Sequence, residues 1–233
     1  KTATVTAAAA SKTYGSSDPS LTASSSDFTT ADAATITLSA SRATGETVGT
    51  YTITPSATGA ALSNYDVTYT TGTFTISKKT VTVTATDASK TYGASDPTLA
   101  ATESGFTTAD AATITLSASR ATGEAVGTYT ITPSATGAAL SNYDVTYTTG
   151  TFTVSKKTVT VTATDASKTY GATDPTLAAT EGGFTTADAA TITLSASRAT
   201  GEAVGTYTIT PSATGAALTN YDVTYATGTF TIS

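Results

Sequence analysis

The sequence predicts a mostly β protein built as a tandem array of three small domains, and three observations carry that reading. Tyr14, Tyr92 and Tyr170 open the same K-T-Y-G phrase at a spacing of 78 residues, and the other landmarks keep that spacing without insertion or deletion. Runs such as T-V-T-V-T-A-T (Thr80–Thr86) alternate apolar residues with Thr, the period-two pattern of a half-buried strand. Short side chains suited to open sheet faces dominate, and charged residues make up only 12%. A period this long exceeds the usual 20–50 residues of solenoid repeats, so each copy is a domain in its own right. The domains are taken as 1–78, 79–156 and 157–233. Since 233 residues begin and end almost on repeat boundaries, the chain reads as a segment of a longer array.

The middle copy serves for all three, because the second and third differ only at Ser95/Thr173, Ser104/Gly182, Ser141/Thr219, Thr148/Ala226 and Val154/Ile232. Its first strand covers Thr80–Thr86. S-K-T-Y-G-A-S-D-P then reads as an ordered loop, with Gly93 at positive φ, Asp96 extended before Pro97 and Tyr92 folded inward. A short strand is expected around Leu99–Thr102. In G-F-T-T-A-D-A-A, Thr107 or Thr108 can cap one or two helical turns, with Asp110 near the helix N-terminus. Ile114–Ser119 is a strand, R-A-T-G-E-A-V-G a turn, and G-T-Y-T-I-T-P a strand closed by Pro133. Y-D-V-T-Y and T-F-T-V-S flank Thr148-Thr149-Gly150, which reads as a tight β-hairpin.

Each copy thus has about six strands and one short helix around a single thin core. That core draws on Val81, Val83, Tyr92, Leu99, Phe106, Ile114, Leu116, Val126, Tyr129, Ile131, Leu140, Tyr143, Val145, Tyr147, Phe152 and Val154. A domain of this size buries roughly 60–65% of its unfolded surface, so modest stability is expected. Between copies, only Ser155-Lys156-Lys157-Thr158 separates Val154 from Val159, with no Gly- or Pro-rich spacer, and such a join restricts bending. If the first and last strands of a copy run side by side and parallel, tandem copies extend as a rod. At about 3.3 Å per strand residue this gives roughly 35–40 Å per copy.

Composition excludes several functions. With 17 acidic against 11 basic residues and a net charge of −6, the chain lacks the basic surface that nucleic-acid readers concentrate on one face, so no nucleic-acid partner is expected. No apolar run approaches the roughly 18 residues of a membrane-spanning helix. Absence of Cys removes disulfides and thiolate metal sites. Without His or Cys, neither a Ser–His nor a Cys–His pair can activate a nucleophile. Three near-identical copies of one active site would add little, whereas a spacer gains length with each copy.

Sharper chemistry has few candidates. Ser–Lys catalysis would draw on Ser89 beside Lys90, or Lys79 near Ser77, in a chain where Ser is common. Asp87, Asp96, Glu103 and Asp110 could converge on calcium, although no D-x-D-x-D-G loop is present. Arg120 and Glu124, four apart in R-A-T-G-E, read as an exposed turn pair worth little rather than a ligand clamp. Asn64, Asn142 and Asn220, one per copy, could form a Lys–Asn isopeptide crosslink, against the plainer reading of a turn before the following Tyr. Scattered acidic residues make a carboxylate-pair hydrolase a poor fit. The expectation is therefore no catalytic, cofactor-binding or metal residue, and no enzyme.

The order K-T-Y-G-x-x-D-P-x-L, G-F…D, V-G-T-Y-x-I, N-Y-D-V-T-Y and a closing G-T-F-T-I/V resembles the bacterial MBG ("mostly β-grasp") repeat family, YGX type. The opening phrase is Lys12–Leu21, Lys90–Leu99 and Lys168–Leu177, and Asn64-Tyr65, Asn142-Tyr143 and Asn220-Tyr221 carry the closing one. The resemblance implies β-grasp-like domains strung in extracellular bacterial adhesins and exoproteins, without catalytic residues. The function it suggests is a stalk that projects an adhesive tip from the cell surface. Its partners would be the neighbouring repeats, with host or surface glycans and proteins engaged through other regions. Two alternatives are direct multivalent binding of glycans or protein by the repeats, and assembly into a surface filament through exposed sheet edges.

Overall fold

A computed structural model describes residues 1–233. The first repeat comprises β1 (Thr2–Ala7), β2 (Ala10–Thr13), β3 (Ala23–Ser26), α1 (Thr30–Ala33), β4 (Thr37–Arg42), β5 (Gly49–Thr58), a 3-10 turn (Ala60–Asn64), β6 (Asp66–Thr70) and β7 (Gly72–Ser77). The second holds β8 (Lys79–Ala85), β9 (Ala88–Thr91), β10 (Ala101–Ser104), α2 (Thr108–Ala111), β11 (Thr115–Arg120), β12 (Gly127–Thr136), β13 (Tyr143–Thr148) and β14 (Gly150–Ser155). The third holds β15 (Lys157–Ala163), β16 (Ala166–Lys168), β17 (Ala179–Gly182), α3 (Thr186–Ala189), β18 (Thr193–Arg198), β19 (Gly205–Thr214), β20 (Tyr221–Ala226) and β21 (Gly228–Ile232). The mostly β array with one short helix per repeat is as expected, with seven strands rather than six. The added strand, β9 in the middle copy, lies in the S-K-T segment read from sequence as loop.

Each repeat forms a three-stranded and a four-stranded sheet, ordered β3-β1-β6 and β2-β7-β5-β4 in the first. β1 runs parallel to β6 with Thr2 opposite Asp66, and β2 runs parallel to β7 with Ala10 opposite Phe74. The offset of 64 residues is the same in both sheets, so the opening and closing segments form one parallel ribbon that passes from sheet to sheet. The third repeat repeats it, with Lys157 opposite Tyr221 and Ala166 opposite Phe230. The first and last strands of a repeat are therefore not neighbours, since β1 lies beside β6 and β7 beside β2, but the parallel pairing expected of them is made by the opening and closing segments over two sheets, and the chain enters a repeat at one end of the ribbon and leaves at the other.

This arrangement corrects the expected hairpin. β13 and β14 do not pair with each other, because β13 lies beside β8 and β14 lies between β12 and β9. Gly150 serves close approach rather than a positive-φ turn: a Cβ there would sit 2.8 Å from the Ala85 carbonyl oxygen. Pro133 lies inside β12 rather than closing the strand, as its counterpart Pro55 lies inside β5, opposite Ala40 of β4. β7 flanks β5 only as far as Ile53, so the proline's missing N–H falls where no second strand needs it.

The core is divided in two. In the third repeat one cluster joins Val159, Val161, Phe184, Ile192 and Tyr221, and the other joins Ala163, Ile209, Phe230 and Ile232. Alternation in β15 turns Val159, Val161 and Ala163 inward and the threonines outward. Tyr147, expected in the core, is half-exposed together with its equivalents Tyr69 and Tyr225. Thr107 caps α2, its Oγ1 accepting the Asp110 N–H at 3.3 Å, and the helix lasts a single turn.

Two compact units are distinguished. One takes Lys1–Thr84, Ala100–Ala118 and Pro133–Thr148, and the other Ala85–Leu99, Ser119–Thr132 and Thr149–Ser233. The division falls inside the second repeat, so each unit contains one complete junction between repeats.

Candidate functional site at the repeat joint

Residues spread along the sequence meet where one repeat hands over to the next. In the first unit β7 and β8 are separated by Lys78 alone. β2 ends beside the end of β7, with the Tyr14 N–H donating to the Ser77 carbonyl at 2.9 Å. This places the Tyr14 side chain between two cores: it packs inward on the Ala7, Ile53, Phe74 and Ile76 cluster of its own repeat, as expected, and also on the Val81, Ile114 and Tyr143 cluster of the second. Its hydroxyl donates to Asp110 Oδ2 at 2.9 Å, and its ring meets the Tyr143 ring edge-on with centroids 5.3 Å apart.

Asp110 is the hub. The same Oδ2 also accepts the hydroxyls of Tyr143 at 2.6 Å and Thr107 at 2.9 Å. The bond from Tyr143, reinforced by those from Thr107 and Tyr14, holds this carboxyl below its ordinary pKa despite partial desolvation. Tyr143 is 2% exposed, and Phe106 stacks on it edge-on at 4.8 Å. Nearby, Asn142 Oδ1 accepts the Val48 N–H of the preceding repeat at 3.0 Å. Gly15 completes the fit, since a Cβ there would come within 2.8 Å of the Thr107 methyl.

The second unit carries an equivalent joint. Tyr92 donates to Asp188 Oδ2 at 2.8 Å, its ring lies 5.3 Å from that of Tyr221, and Asn220 Oδ1 accepts the Val126 N–H at 3.0 Å. The bond to Asp188, followed by burial, pushes the Tyr92 phenol up to about 12. One residue, Lys156, separates β14 from β15.

A second constellation lies within every repeat. In the middle copy Lys90 Nζ meets Asp96 at 2.7 Å and also Glu124, while Arg120 meets Asp96 at 2.5 Å and Glu124 at 2.5 Å. Two cations and two carboxylates alternate in a closed clasp. The Arg120 guanidinium lies 4.7 Å from the Phe152 ring centroid and 5.4 Å from that of Tyr129, with its side chain only 9% exposed. The expected exposed turn pair is therefore half right: Glu124 remains largely exposed, but Arg120 is buried over two rings. Bonds first from Arg120 and then from Lys90 lower the Asp96 pKa to about 2. Lys12–Asp18–Arg42–Glu46 and Lys168–Asp174–Arg198–Glu202 form the same clasp.

The other candidates fall into these roles or stand apart. Asp96 and Asp110 belong to clasp and joint, Asp87 accepts the Thr151 N–H at 2.7 Å, and Glu103 accepts the Phe106 N–H at 3.2 Å. No group of three acidic side chains is placed to hold a metal ion. Lys90 does not suit a Ser–Lys mechanism, because Asp96 and then Glu124 raise its pKa and keep it protonated. Ser77 donates instead to the Lys12 carbonyl at 3.3 Å, and Ser89 lines a shallow polar depression with Asp87, Thr151 and Thr153. The side-chain oxygen of Asn142 is taken up by Val48 and the Lys90 amine by two carboxylates, neither arrangement being that of a Lys–Asn crosslink.

Sequence reasoning missed the joint. Its one available signal was that K-T-Y-G, D-A-A and N-Y recur together in every copy. No curated protein matches the chain. A family model described as MBG domain (YGX type) matches residues 3–75, 81–153 and 159–231, nearly the whole length. The chain therefore belongs to the MBG domain family, YGX type, with three members in tandem.

Proposed function

We propose that these repeats are non-enzymatic structural spacers, forming part of a stiff stalk on the outside of a bacterial cell that carries an adhesive tip away from the surface. The observation that supports this most is the joint. A single linking residue, a tyrosine hydrogen-bonded to a carboxylate in the next repeat, and an Asn oxygen on a backbone N–H together oppose rotation between neighbours. Within each repeat the parallel ribbon would load its backbone hydrogen bonds together under tension, so force resistance should exceed what the small cores suggest. Small-angle scattering of the 233-residue chain tests the reading: a rod with a maximum dimension on the order of 100–120 Å is expected. A compact particle, or the broad distance distribution of freely jointed beads, would refute it.

A second reading has one observation in its favour. Tyr69, Tyr147 and Tyr225 stand half-exposed at equivalent places, offering one aromatic surface per repeat to a glycan or protein with multivalent avidity. Glycan-array binding that strengthens with repeat number would favour it over a purely mechanical role.

A further inference from the structure

We infer that each joint is a site of oxidative coupling between two tyrosines, Tyr14 with Tyr143 and Tyr92 with Tyr221, in which a carbon–carbon bond comes to tie consecutive repeats together. The oxidant such a site takes is a peroxide acting in one-electron steps. Both rings of a pair are held in place. Tyr14 packs on the core clusters of the two repeats it joins, Tyr143 is buried, and Phe106 meets the Tyr143 ring edge-on at 4.8 Å. The Tyr14 and Tyr143 centroids lie 5.3 Å apart with the planes at 80°, and both hydroxyls donate to Asp110 Oδ2, at 2.9 and 2.6 Å. The reactive ortho carbons of a phenol flank its hydroxyl, so a shared acceptor gathers the two reacting edges at one point. The second joint repeats this geometry, with centroids 5.3 Å apart at 81° and hydroxyls 2.8 and 2.6 Å from Asp188 Oδ2.

The aspartate supplies the base that the chemistry needs. A phenol that loses an electron becomes a strong acid, so oxidation is easiest where a proton acceptor already holds its hydroxyl. Asp110 and Asp188 are held below the ordinary carboxyl pKa, first by the hydroxyls of Tyr143 and Tyr221, and are ionised near neutrality. Tyr51, Tyr129 and Tyr207 donate instead to backbone carbonyls at 2.7, 2.7 and 2.8 Å, which take up no proton. In the coupling each tyrosine of a pair gives up one electron and its phenolic proton. The two electrons break the O–O bond of the peroxide, and the two protons leave in turn through the aspartate. The phenoxyl radicals then form one bond between ortho carbons, and the hydrogens of those carbons move to the phenol oxygens as the rings regain aromaticity. The pair has lost two hydrogens in all, and both hydroxyls are restored to the hub. This chemistry needs only the joint and does not rest on the stalk reading.

Brief illumination of the 233-residue chain in dilute solution with tris(bipyridyl)ruthenium(II) and peroxydisulfate, a one-electron photo-oxidant and a peroxide, tests the proposal. The expected product is a single chain, lighter by two hydrogens per bond formed, with blue dityrosine fluorescence. Its digest should contain the Tyr14 peptide joined to that of Tyr143, and the Tyr92 peptide joined to that of Tyr221. Tyr14→Phe keeps the ring and should remove the first linkage alone, with the second joint as internal reference. Asp110→Asn should lower the first linkage several-fold relative to the second. Concentrated phosphate, a soluble proton acceptor that repairs no packing, should restore part of that loss. A chain that gains no internal linkage, or couples only to other chains, overturns the proposal. So does a first linkage of undiminished yield in Asp110→Asn, which would reduce the site to mere proximity of two rings.

Discussion

The clasp and the joint are both written into every repeat, yet only the clasp has the same surroundings three times. Lys12, Lys90 and Lys168 meet equivalent carboxylates, because all four members of the clasp come from within one repeat. Tyr14 and Tyr92 are packed and hydrogen-bonded, while Tyr170 stands in solvent, because the tyrosine's partners come from the repeat that follows. A residue's environment in a tandem protein depends on which copy holds its partners. Identical sequence guarantees identical structure only for contacts that close inside one copy.

The largest effect should come from opening the clasp. Arg120→Ala leaves Asp96 and Glu124 facing each other with only Lys90 between them and uncovers the Phe152 ring. The thermal midpoint should fall by roughly 10 °C, and Arg42→Ala and Arg198→Ala should cost a similar amount. A threefold disparity among the three would break the claim that the clasp is independent of position.

Position should dominate at the tyrosine. Tyr92→Ala removes a half-buried ring and a charge-assisted bond, for a loss of about 2 kcal/mol in denaturant unfolding, whereas Tyr170→Ala should stay within about 0.5 kcal/mol. Equal losses would show that the tyrosine stabilises its own repeat and would remove the joint's significance. Tyr92→Phe separates packing from hydrogen bonding and should cost about 1 kcal/mol, at the low end for a charged acceptor because solvent reaches the hub. Asn142→Ala should likewise cost about 1 kcal/mol by leaving the Val48 N–H without its acceptor, and Asn64→Ala should cost nothing measurable.

The smallest effect near neutrality is that of pH. The clasp aspartates Asp18, Asp96 and Asp174 have pKa values lowered to about 2, and Asp110 and Asp188 are also lowered, by their tyrosine and threonine donors. For a carboxyl depressed in the folded state, the stabilisation is fully present above the unfolded pKa of about 3.9 and is lost as pH falls through the folded value. Since the chain has no His, melting temperature should be flat from pH 7 to about 4 and then drop towards pH 2. A decline beginning near pH 6 would contradict the assignment of these carboxylates to clasp and joint.

Much of the fold was legible because it rests on local rules. Alternation in T-V-T-V-T-A-T set a strand with one buried face, and Thr107 three residues before Asp110 announced the capped turn. The failures share a cause in long-range packing. Gly150 has two uses, a turn or a close passage, and the Ala85 carbonyl that decides between them lies far away in sequence. Pro55 is tolerated mid-strand only because β7 stops beside Ile53, which no local pattern reveals. The clasp was half visible: with charge so sparse, K-T-Y-G-x-x-D and R-A-T-G-E stood out, but 24 residues separate Asp96 from Arg120. The first repeat's Ala7–Ala10 run has its consequence too, since Ala9 cannot supply the carboxylate with which Asp87 and Asp165 bind the Thr151 and Thr229 N–H groups.

What the sequence determined by itself was the number of copies, the strand faces and the short capped helix, because each follows from chain periodicity and from side chains acting on their own backbone. Only the tertiary structure decided that the closing segments run parallel to the opening ones in two sheets, and that Tyr14 and Tyr92 bond into the repeat that follows them. Those outcomes depend on which distant atoms meet, and near-identical copies can meet different ones when a further copy is or is not seated beside them.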